Sequence, residues 1–378
     1  MAPARLRGGS PTLTIEAAPA YEFVVAIASI FEERDTMEVG PDWFAEIEAR
    51  AGTDLLGRLT ALSQGESDPW FHLISLVYAS PAPRDIASFL AHLRKTDADE
   101  VTLTLLGYYE RGYRRAAEPE VMRRAIAGDR DAQRELHRTY YPEWGEWHGF
   151  LRSVFERDPA ATKAELIDLL EAWEASVWRT EEPKLMPILE RDAEAKRVLA
   201  AELPLERFTE VATNGVEYLP RPGVREVVLT PTFVNRPWVS TTEYRDVDIL
   251  TYPVADESVT AETDAPPLRL VRLSKALGDE RRLRILRILG SGDKTLMELA
   301  ELFDVPKTTM HHHMIALRSA GLVTLTSGTK RYRLRRDALP DVGELLRGYV
   351  GAATGPLAAP PAATRAPRST RRRAAPRS

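Results

Sequence analysis

The sequence has 378 residues, 44% of them hydrophobic, which is enough for two or three domains with a sizeable core and excludes a chain disordered throughout. No apolar run is long enough to span a bilayer, and Glu22 interrupts the apolar stretch near the N-terminus, so we expect neither a membrane span nor a secretion signal. The absence of cysteine excludes disulfides, thiolate metal sites and a cysteine nucleophile, and we expect a cytoplasmic protein.

Residues 1–254 have the pattern of a large, acidic and mostly helical domain. Apolar residues recur at helical spacing over residues 100–113, 162–178 and 203–212. Asp158, which is followed by a proline, is a typical cap for the helix that runs on to residue 178. This part of the chain is therefore predicted to be a set of packed helices.

The pattern changes from helix to strand near the end of this region. Residues 224–234 and 244–254 are rich in Val, Ile, Leu and Thr, and they predict two or more strands of a small sheet. Residues 255–267 are small, acidic and end in two prolines, so they predict a linker. Residues 351–378 are dominated by Ala, Pro and Arg and predict a disordered basic tail, which either adds non-specific affinity for DNA or only solubilises the protein.

Charge is distributed unevenly along the chain. From Leu268 to the C-terminus there are 22 Lys and Arg against 9 Asp and Glu, a net charge of +13. Residues 1–267 carry the other 29 basic and 47 acidic side chains, a net charge of −18. This segregation indicates separate modules, and the basic module is the candidate for contact with nucleic acid.

The basic module, residues 268–350, has the element order of a winged helix-turn-helix. Apolar spacing and end signals predict four helices, over residues 268–277, 279–289, 295–303 and 307–320. A β-hairpin is predicted after the fourth helix, because residues alternate on both sides of the Ser327-Gly328 turn.

The ends of these helices have recognisable signals. Thr295 and Glu298 have the spacing of a capping box, and Gly321 is suited to close the fourth helix. The predicted fold class is therefore mainly α with minor β. It comprises a large helical N-terminal domain with a small sheet, a C-terminal winged helix-turn-helix domain and the disordered basic tail.

The run LGDERRLRILRIL, followed by LMELAELFDVPKTTMHHHMIALRSAGLV and GTKRYRL, resembles the DNA-binding domain of the ArsR family of bacterial repressors. The resemblance covers about a fifth of the chain. It implies a homodimer on double-stranded DNA, paired through the outer helices, here 268–277 and 342–350. Metal-sensing members carry cysteines in the helix that corresponds to 295–303, where this chain has none, so thiolate sensing of arsenic or cadmium is excluded. Multidomain ArsR-like regulators of the actinobacterial type have large N-terminal regions, and this analogy implies a sensing and dimerisation role for residues 1–254.

Three of the seven histidines are adjacent in the fourth helix. Met310, Met314 and Leu317 form the stripe predicted to face the core, and His313 lies beside it, where we expect a packing role. Successive helical residues diverge by about 100°, so neighbouring histidines fan out and do not converge on one ion. We predict no metal site and no cofactor. A merely solvated face is the alternative to DNA contact, which is the interpretation we prefer.

A helix of this width fits the major groove, and basic residues of a flanking hairpin can reach the neighbouring backbone or minor groove. Tyr332, between two arginines on the hairpin, is predicted to pack inward. The residues predicted to bind DNA are Lys307, Thr308, Thr309, His311, His312 and Arg318 in the helix, and Lys330, Arg331 and Arg333 in the wing.

The sequence indicates the function of the N-terminal domain less clearly than that of the winged helix. The aromatic residues at 140–150, with Trp173 and Trp178, either line a ligand pocket or belong to the core. Nucleotide-binding, zinc-protease and nucleophile-elbow motifs are missing, and no acid and base pair stands out, so no catalytic residue is predicted.

We therefore expect a transcriptional regulator, a dimeric repressor controlled by a small-molecule effector or a partner of the N-terminal domain. One alternative is an enzyme fused to a winged-helix regulatory domain. A second alternative is a winged helix that contacts protein instead of DNA. That role predicts a neutral or acidic recognition face, which the basic charge of the module contradicts.

Overall fold

Helices dominate the chain and a small sheet lies among them, as the sequence predicts. In this computed structural model the described residues are 11–110, 118–139, 147–213, 215–218, 222–259, 268–326, 331–339 and 341–351. No helix within these ranges is both long enough and apolar enough to cross a lipid bilayer.

The N-terminal region consists of helices packed around one large apolar core. The first helix, Pro19–Ser29, is buried on all sides, because its apolar residues are not restricted to one face. The helices of this region are α1 (Pro19–Ser29), α2 (Gly40–Ser63), α3 (Asp68–His72), α4 (Ile74–Ala79), α5 (Ile86–Lys95), α6 (Ala98–Leu105), α7 (Pro119–Ile126), α8 (Arg130–Thr139), α9 (Trp147–Glu156), α10 (Pro159–Trp173), α11 (Arg179–Ala200) and α12 (Leu205–Ala212).

Two predicted helices differ in length from the observed ones. The helix predicted over 100–113 ends at Leu105, because Gly107 takes a left-handed φ of +71° against the His72 ring, where a Cβ atom would lie 2.8 Å from His72 Cε1. The helix predicted to end at residue 178 continues further, since a π-helical turn over Glu174–Trp178 joins α10 to α11. Asp158 caps α10 as predicted, accepting a hydrogen bond from the amide of Ala161 at 2.9 Å.

The sequence left open whether the aromatic residues at 140–150, with Trp173 and Trp178, line a pocket or belong to the core. Those whose side chains the structure describes belong to the core. Trp173, Trp178 and Phe150 are almost completely buried and lie within the large apolar cluster. Residues 140–146 of the same predicted cluster lie outside the described residues.

The small sheet has the strand order β1-β3-β5-β4. Its strands are β1 (Thr12–Ile15), β3 (Glu226–Thr232), β4 (Ser240–Tyr244) and β5 (Val247–Pro253). β3 pairs in parallel with β1 and β5, and β4 runs antiparallel to β5. Both central strands are buried on both faces, as their continuous apolar runs indicate. Alternate residues face opposite sides: Val228 and Ile249 join the helical core, whereas Leu229 and Leu250 pack with α12.

The C-terminal region is the predicted winged helix. Its elements are α14 (Leu268–Leu277), α15 (Glu280–Leu289), β6 (Lys294–Thr295), α16 (Leu296–Phe303), α17 (Lys307–Ser319), β7 (Val323–Thr326), β8 (Arg331–Leu334) and α18 (Asp341–Gly351). The capping box at the start of α16 is present, with Thr295 and Glu298 exchanging hydrogen bonds. Tyr332 packs inward, as predicted, and belongs to the same apolar cluster as Met310 and Leu317.

The sequence did not predict that one strand joins the two regions. β2 (Val216–Glu217), which follows α12, pairs in parallel with β7 and extends the sheet of the wing to the order β2-β7-β8-β6. Within the predicted linker, Asp256–Val259 forms a short helix, α13, against α11. Residues 260–267, the wing residue Lys330 and residues 352–378 of the predicted tail lie outside the described residues.

Glu22 of α1 is a buried carboxyl group that holds a loop after β3. Its Oε1 accepts hydrogen bonds from the amides of Phe233 and Val234, at 2.9 and 2.8 Å. Burial raises the pKa of Glu22 to about 7, and these hydrogen bonds oppose part of that rise. The folded state therefore favours the protonated carboxyl group more strongly than the unfolded state does.

We predict that Glu22→Gln removes a pH-dependent loss of stability. Because the folded-state pKa is raised from 4.5 to about 7, ionisation of Glu22 destabilises the fold progressively as the pH rises through this window. The wild-type protein should lose about 2 kcal/mol of unfolding free energy through this group between about pH 5.5 and about pH 8, and Glu22→Gln should not. Urea unfolding at both pH values measures the difference, with the exposed Glu46→Gln as control. A Glu22→Gln variant that loses stability in parallel with the control would contradict the assignment.

Candidate DNA-binding interface

The helix-turn-helix pair is formed by α16 and α17. Asp304, in a left-handed conformation with a φ of 50°, ends α16, and Pro306 precedes the first residue of α17. Met310, Met314 and Leu317 are buried on one side of α17, as their spacing predicts. The opposite side of α17 therefore faces away from the core of the winged helix.

The first turns of α17 present the predicted contact residues to solvent. Lys307, Thr308 and His311 are exposed, whereas Thr309 is half-buried. Partial desolvation of the His311 ring lowers the pKa of this histidine, and the positive charge of Arg318 lowers it further. At neutral pH the His311 ring is therefore uncharged and can both donate and accept a hydrogen bond.

The three adjacent histidines point in different directions. His313 is half-buried near Asp279, and burial lowers its pKa. His312 Nδ1 lies 3.8 Å from Oε2 of Glu33 in the N-terminal region. Across the described ranges, no three His, Asp or Glu side chains come together in a way that could hold a metal ion.

Arg318 takes a different position from the one expected of a DNA contact. Its guanidinium carbon lies 4.9 Å from the centre of the Trp238 ring, which belongs to the loop after β3. Burial lowers the pKa of Arg318. In this conformation Arg318 is half-buried and contacts the N-terminal region through Trp238.

The wing arginines are partly held by acidic residues of their own domain. Arg333 donates two hydrogen bonds to Asp293 Oδ2, at 2.9 and 3.1 Å. Arg331 donates to the backbone oxygen of Asp293 at 2.6 Å and lies 3.4 Å from Glu298. Both side chains remain partly exposed, at 53% for Arg333 and 38% for Arg331, so their outer faces can contact a phosphate. The third predicted wing cation, Lys330, is outside the described residues.

A network of two arginines and two carboxylates connects α14 to the N-terminal region. Arg272 of α14 pairs with Glu38 and lies 2.9 Å from Asp256 of α13. Arg236, which is buried, also pairs with Asp256 and lies 3.2 Å from Glu38. The two carboxylates compensate the burial of the Arg236 guanidinium group.

A cleft of about 1260 Å³ lies between α17 and the N-terminal region. Its walls are formed by residues 33–40, the loop after β3, and the outward faces of α14 and α17. Sequence reasoning missed this arrangement, because no local pattern indicates which distant residues meet the outward face of a helix. The tryptophan in the polar loop NRPW (235–238) is the one local signal of a contact site.

Comparison with known proteins identifies one part of the chain. Residues 277–326 match the family model of a helix-turn-helix domain, which spans α15, α16, α17 and β7. No curated protein and no solved structure matches the chain. The match supports a DNA-binding transcriptional regulator, in agreement with the winged helix that the sequence predicts.

Proposed function

We propose that the protein is a dimeric, sequence-specific transcriptional repressor of the ArsR type, with α17 as its recognition helix. The observation that carries this proposal is the exposed first half of α17, where Lys307, Thr308 and His311 are presented by the basic C-terminal part of the chain, whose residues 268–378 have a net charge of +13. The matched helix-turn-helix domain supports DNA as the partner of this surface.

Each exposed residue suits a particular part of duplex DNA. Lys307 lies at the N-terminus of α17, where free backbone amides and the helix dipole also attract a phosphate. Thr308 and the uncharged His311 can donate and accept hydrogen bonds at base edges in the major groove. Arg331 and Arg333 of the wing would add phosphate contacts beside the groove.

Dimerisation would use α18. Leu346 and Val350 lie one turn apart on this helix and are 50% and 64% exposed. On α14, by contrast, Leu270 and Leu273 are already buried within the chain. Two copies joined through α18 would place two recognition helices on half-sites about one helical turn apart.

The N-terminal region would regulate the winged helix, not catalyse a reaction. It contacts α14, α17 and β7, so a small effector or a protein partner bound there could change the position of the DNA-binding module. We propose repression as the outcome, relieved when the effector binds.

We predict that Lys307→Ala combined with His311→Ala weakens binding to DNA by about tenfold or more, since contacts to bases and phosphates contribute on the order of 1–3 kcal/mol each. The probe is a duplex enriched from a random pool on the full-length protein, and fluorescence anisotropy gives its Kd. Lys95→Ala, an exposed lysine of α5, is the control for the loss of a positive charge. Failure of the protein to enrich any duplex would refute DNA recognition itself, and an unchanged Kd of the double variant would refute the role of α17.

We predict that Arg331→Ala and Arg333→Ala each lower the salt dependence of binding by about one unit of slope in a plot of log K against log salt, because each removes one phosphate contact. Titrations at several salt concentrations measure the slope. Arg134→Ala, at an exposed position of α8, should leave the slope unchanged. A wing variant with the wild-type slope would show that its arginine does not contact a phosphate.

We predict that Leu346→Glu combined with Val350→Glu converts the dimer to a monomer, because burying two carboxylates in an apolar contact costs several kcal/mol. Sedimentation velocity on the full-length protein measures the oligomeric state. Leu302→Glu, at an equally exposed leucine of α16, is the matched control. A wild-type protein that sediments as a monomer, or a double variant that remains dimeric, would contradict pairing through α18.

A further inference from the structure

The outward face of the recognition helix is covered over part of its length. Thr308, His312, Ile315 and Ser319 follow one another at spacings of four, three and four residues, so they lie on one face, opposite the buried Met310. The first turn of this face is open. Its second half, with His312, Ile315 and Ser319, faces the cleft and the N-terminal region.

The wall across the cleft is acidic. Glu33, Asp35 and Glu38 lie on a short segment that includes a 3₁₀ turn over Arg34–Thr36, and they line the cleft. The one basic residue of this turn, Arg34, is paired with Glu48. The carboxylates thus line the same cleft as Arg272, Lys275 and Arg282 of the winged helix and attract these cations as the phosphates of a duplex would.

Trp238 fixes the end of α17 to this wall. Its ring covers the guanidinium group of Arg318, and its Nε1 donates a hydrogen bond to Oγ1 of Thr36 at 3.1 Å. The same indole therefore connects the acidic segment with the last turns of the recognition helix. Arg318, which is half-buried, is occupied by this contact.

This arrangement cannot coexist with full insertion of α17 into a major groove. A groove about 12 Å wide and 8.5 Å deep must accept the whole outward face of the helix. A carboxylate 3.8 Å from His312 leaves no space for a base pair there and repels the phosphates on either side. The duplex and the acidic segment must therefore compete for the same face.

Resting on the proposed function, we infer that the acidic segment 33–38 and Trp238 form an autoinhibitory contact that holds the recognition helix away from DNA. The contact consists of the polar approach of Glu33 to His312, the Arg272–Glu38 ion pair and a cation–π pair at the margin of an open cleft, and not of a continuous apolar interface. Such a contact is weak enough to open and close. DNA binds only the open form, so the apparent affinity of the full-length chain is reduced by the fraction of molecules that are closed.

Two variants of the full-length protein test the inference. Trp238→Ala removes the ring that holds Arg318, without a change of charge, and Glu33→Lys replaces a carboxylate that is 66% exposed by a cation. Each should bind the enriched duplex about five- to tenfold more tightly than the wild-type protein, because more molecules are open. Glu46→Lys, at a similarly exposed glutamate of α2, makes the same charge reversal away from the cleft and should bind like the wild type.

The outcomes separate this inference from the proposed function. If neither the wild type nor any variant enriches a duplex, DNA binding fails and autoinhibition fails with it. If the wild type binds and Trp238→Ala binds no more tightly than Glu46→Lys, only the autoinhibitory contact is refuted. Circular dichroism establishes that Trp238→Ala is folded before its affinity is interpreted.

A second measurement uses the wild-type protein and needs no variant. Hydroxyl radicals oxidise exposed tryptophan side chains, and mass spectrometry reports oxidation at each site. When the duplex binds, release of Arg318 should expose the Trp238 ring and raise its oxidation, while the buried Trp173 stays protected. Oxidation of Trp238 that stays constant or falls on addition of the duplex would overturn the inference.

Discussion

The buried carboxyl group of Glu22 is the constraint on which the arrangement of the two regions depends. It accepts hydrogen bonds from the backbone amides of Phe233 and Val234, which the end of β3 would otherwise leave without partners. The loop fixed in this way carries Trp238, which contacts Arg318 of the winged helix, and Arg236, which shares Glu38 and Asp256 with Arg272 of α14. A group in the first helix of the N-terminal core therefore also fixes the loop that contacts α17.

The contact between the two regions joins surfaces of opposite charge. The N-terminal region is strongly acidic and the winged helix strongly basic, and the two meet through Arg272, Glu38 and Asp256. Attraction of this kind is long-ranged but is screened by salt, and it competes with any other polyanion near the basic surface. The same charges that suit the module for DNA therefore also draw it to its own chain.

Local signals in the sequence were sufficient for the winged helix and for the two central strands. The capping box at Thr295, the spacing of Met310 and Met314, and the β-branched runs each act within a few residues, so they can be read from one segment alone. The spacing predicted Arg318 to point away from the core, whereas it is half-buried under Trp238. Its partner Trp238 lies far away in the chain, and no periodicity links two such positions, so the contact could not be predicted. The pairing of β2 with β7 escaped prediction for the same reason, since two residues are too few to form a strand pattern.

That short pairing has a mechanical consequence. β2 is followed by Tyr218, whose buried hydroxyl group donates to Oδ2 of Asp248 on β5 at 2.6 Å. The wing, β2, Tyr218 and the mixed sheet are thus connected in series, by strand pairing between β7 and β2, by the backbone from β2 to Tyr218, and by the hydrogen bond from Tyr218 to Asp248. A displacement of the wing pulls on the centre of the other sheet, and a rearrangement of that sheet pulls on the wing. Force can travel along this route in either direction, independently of the contacts that α17 makes.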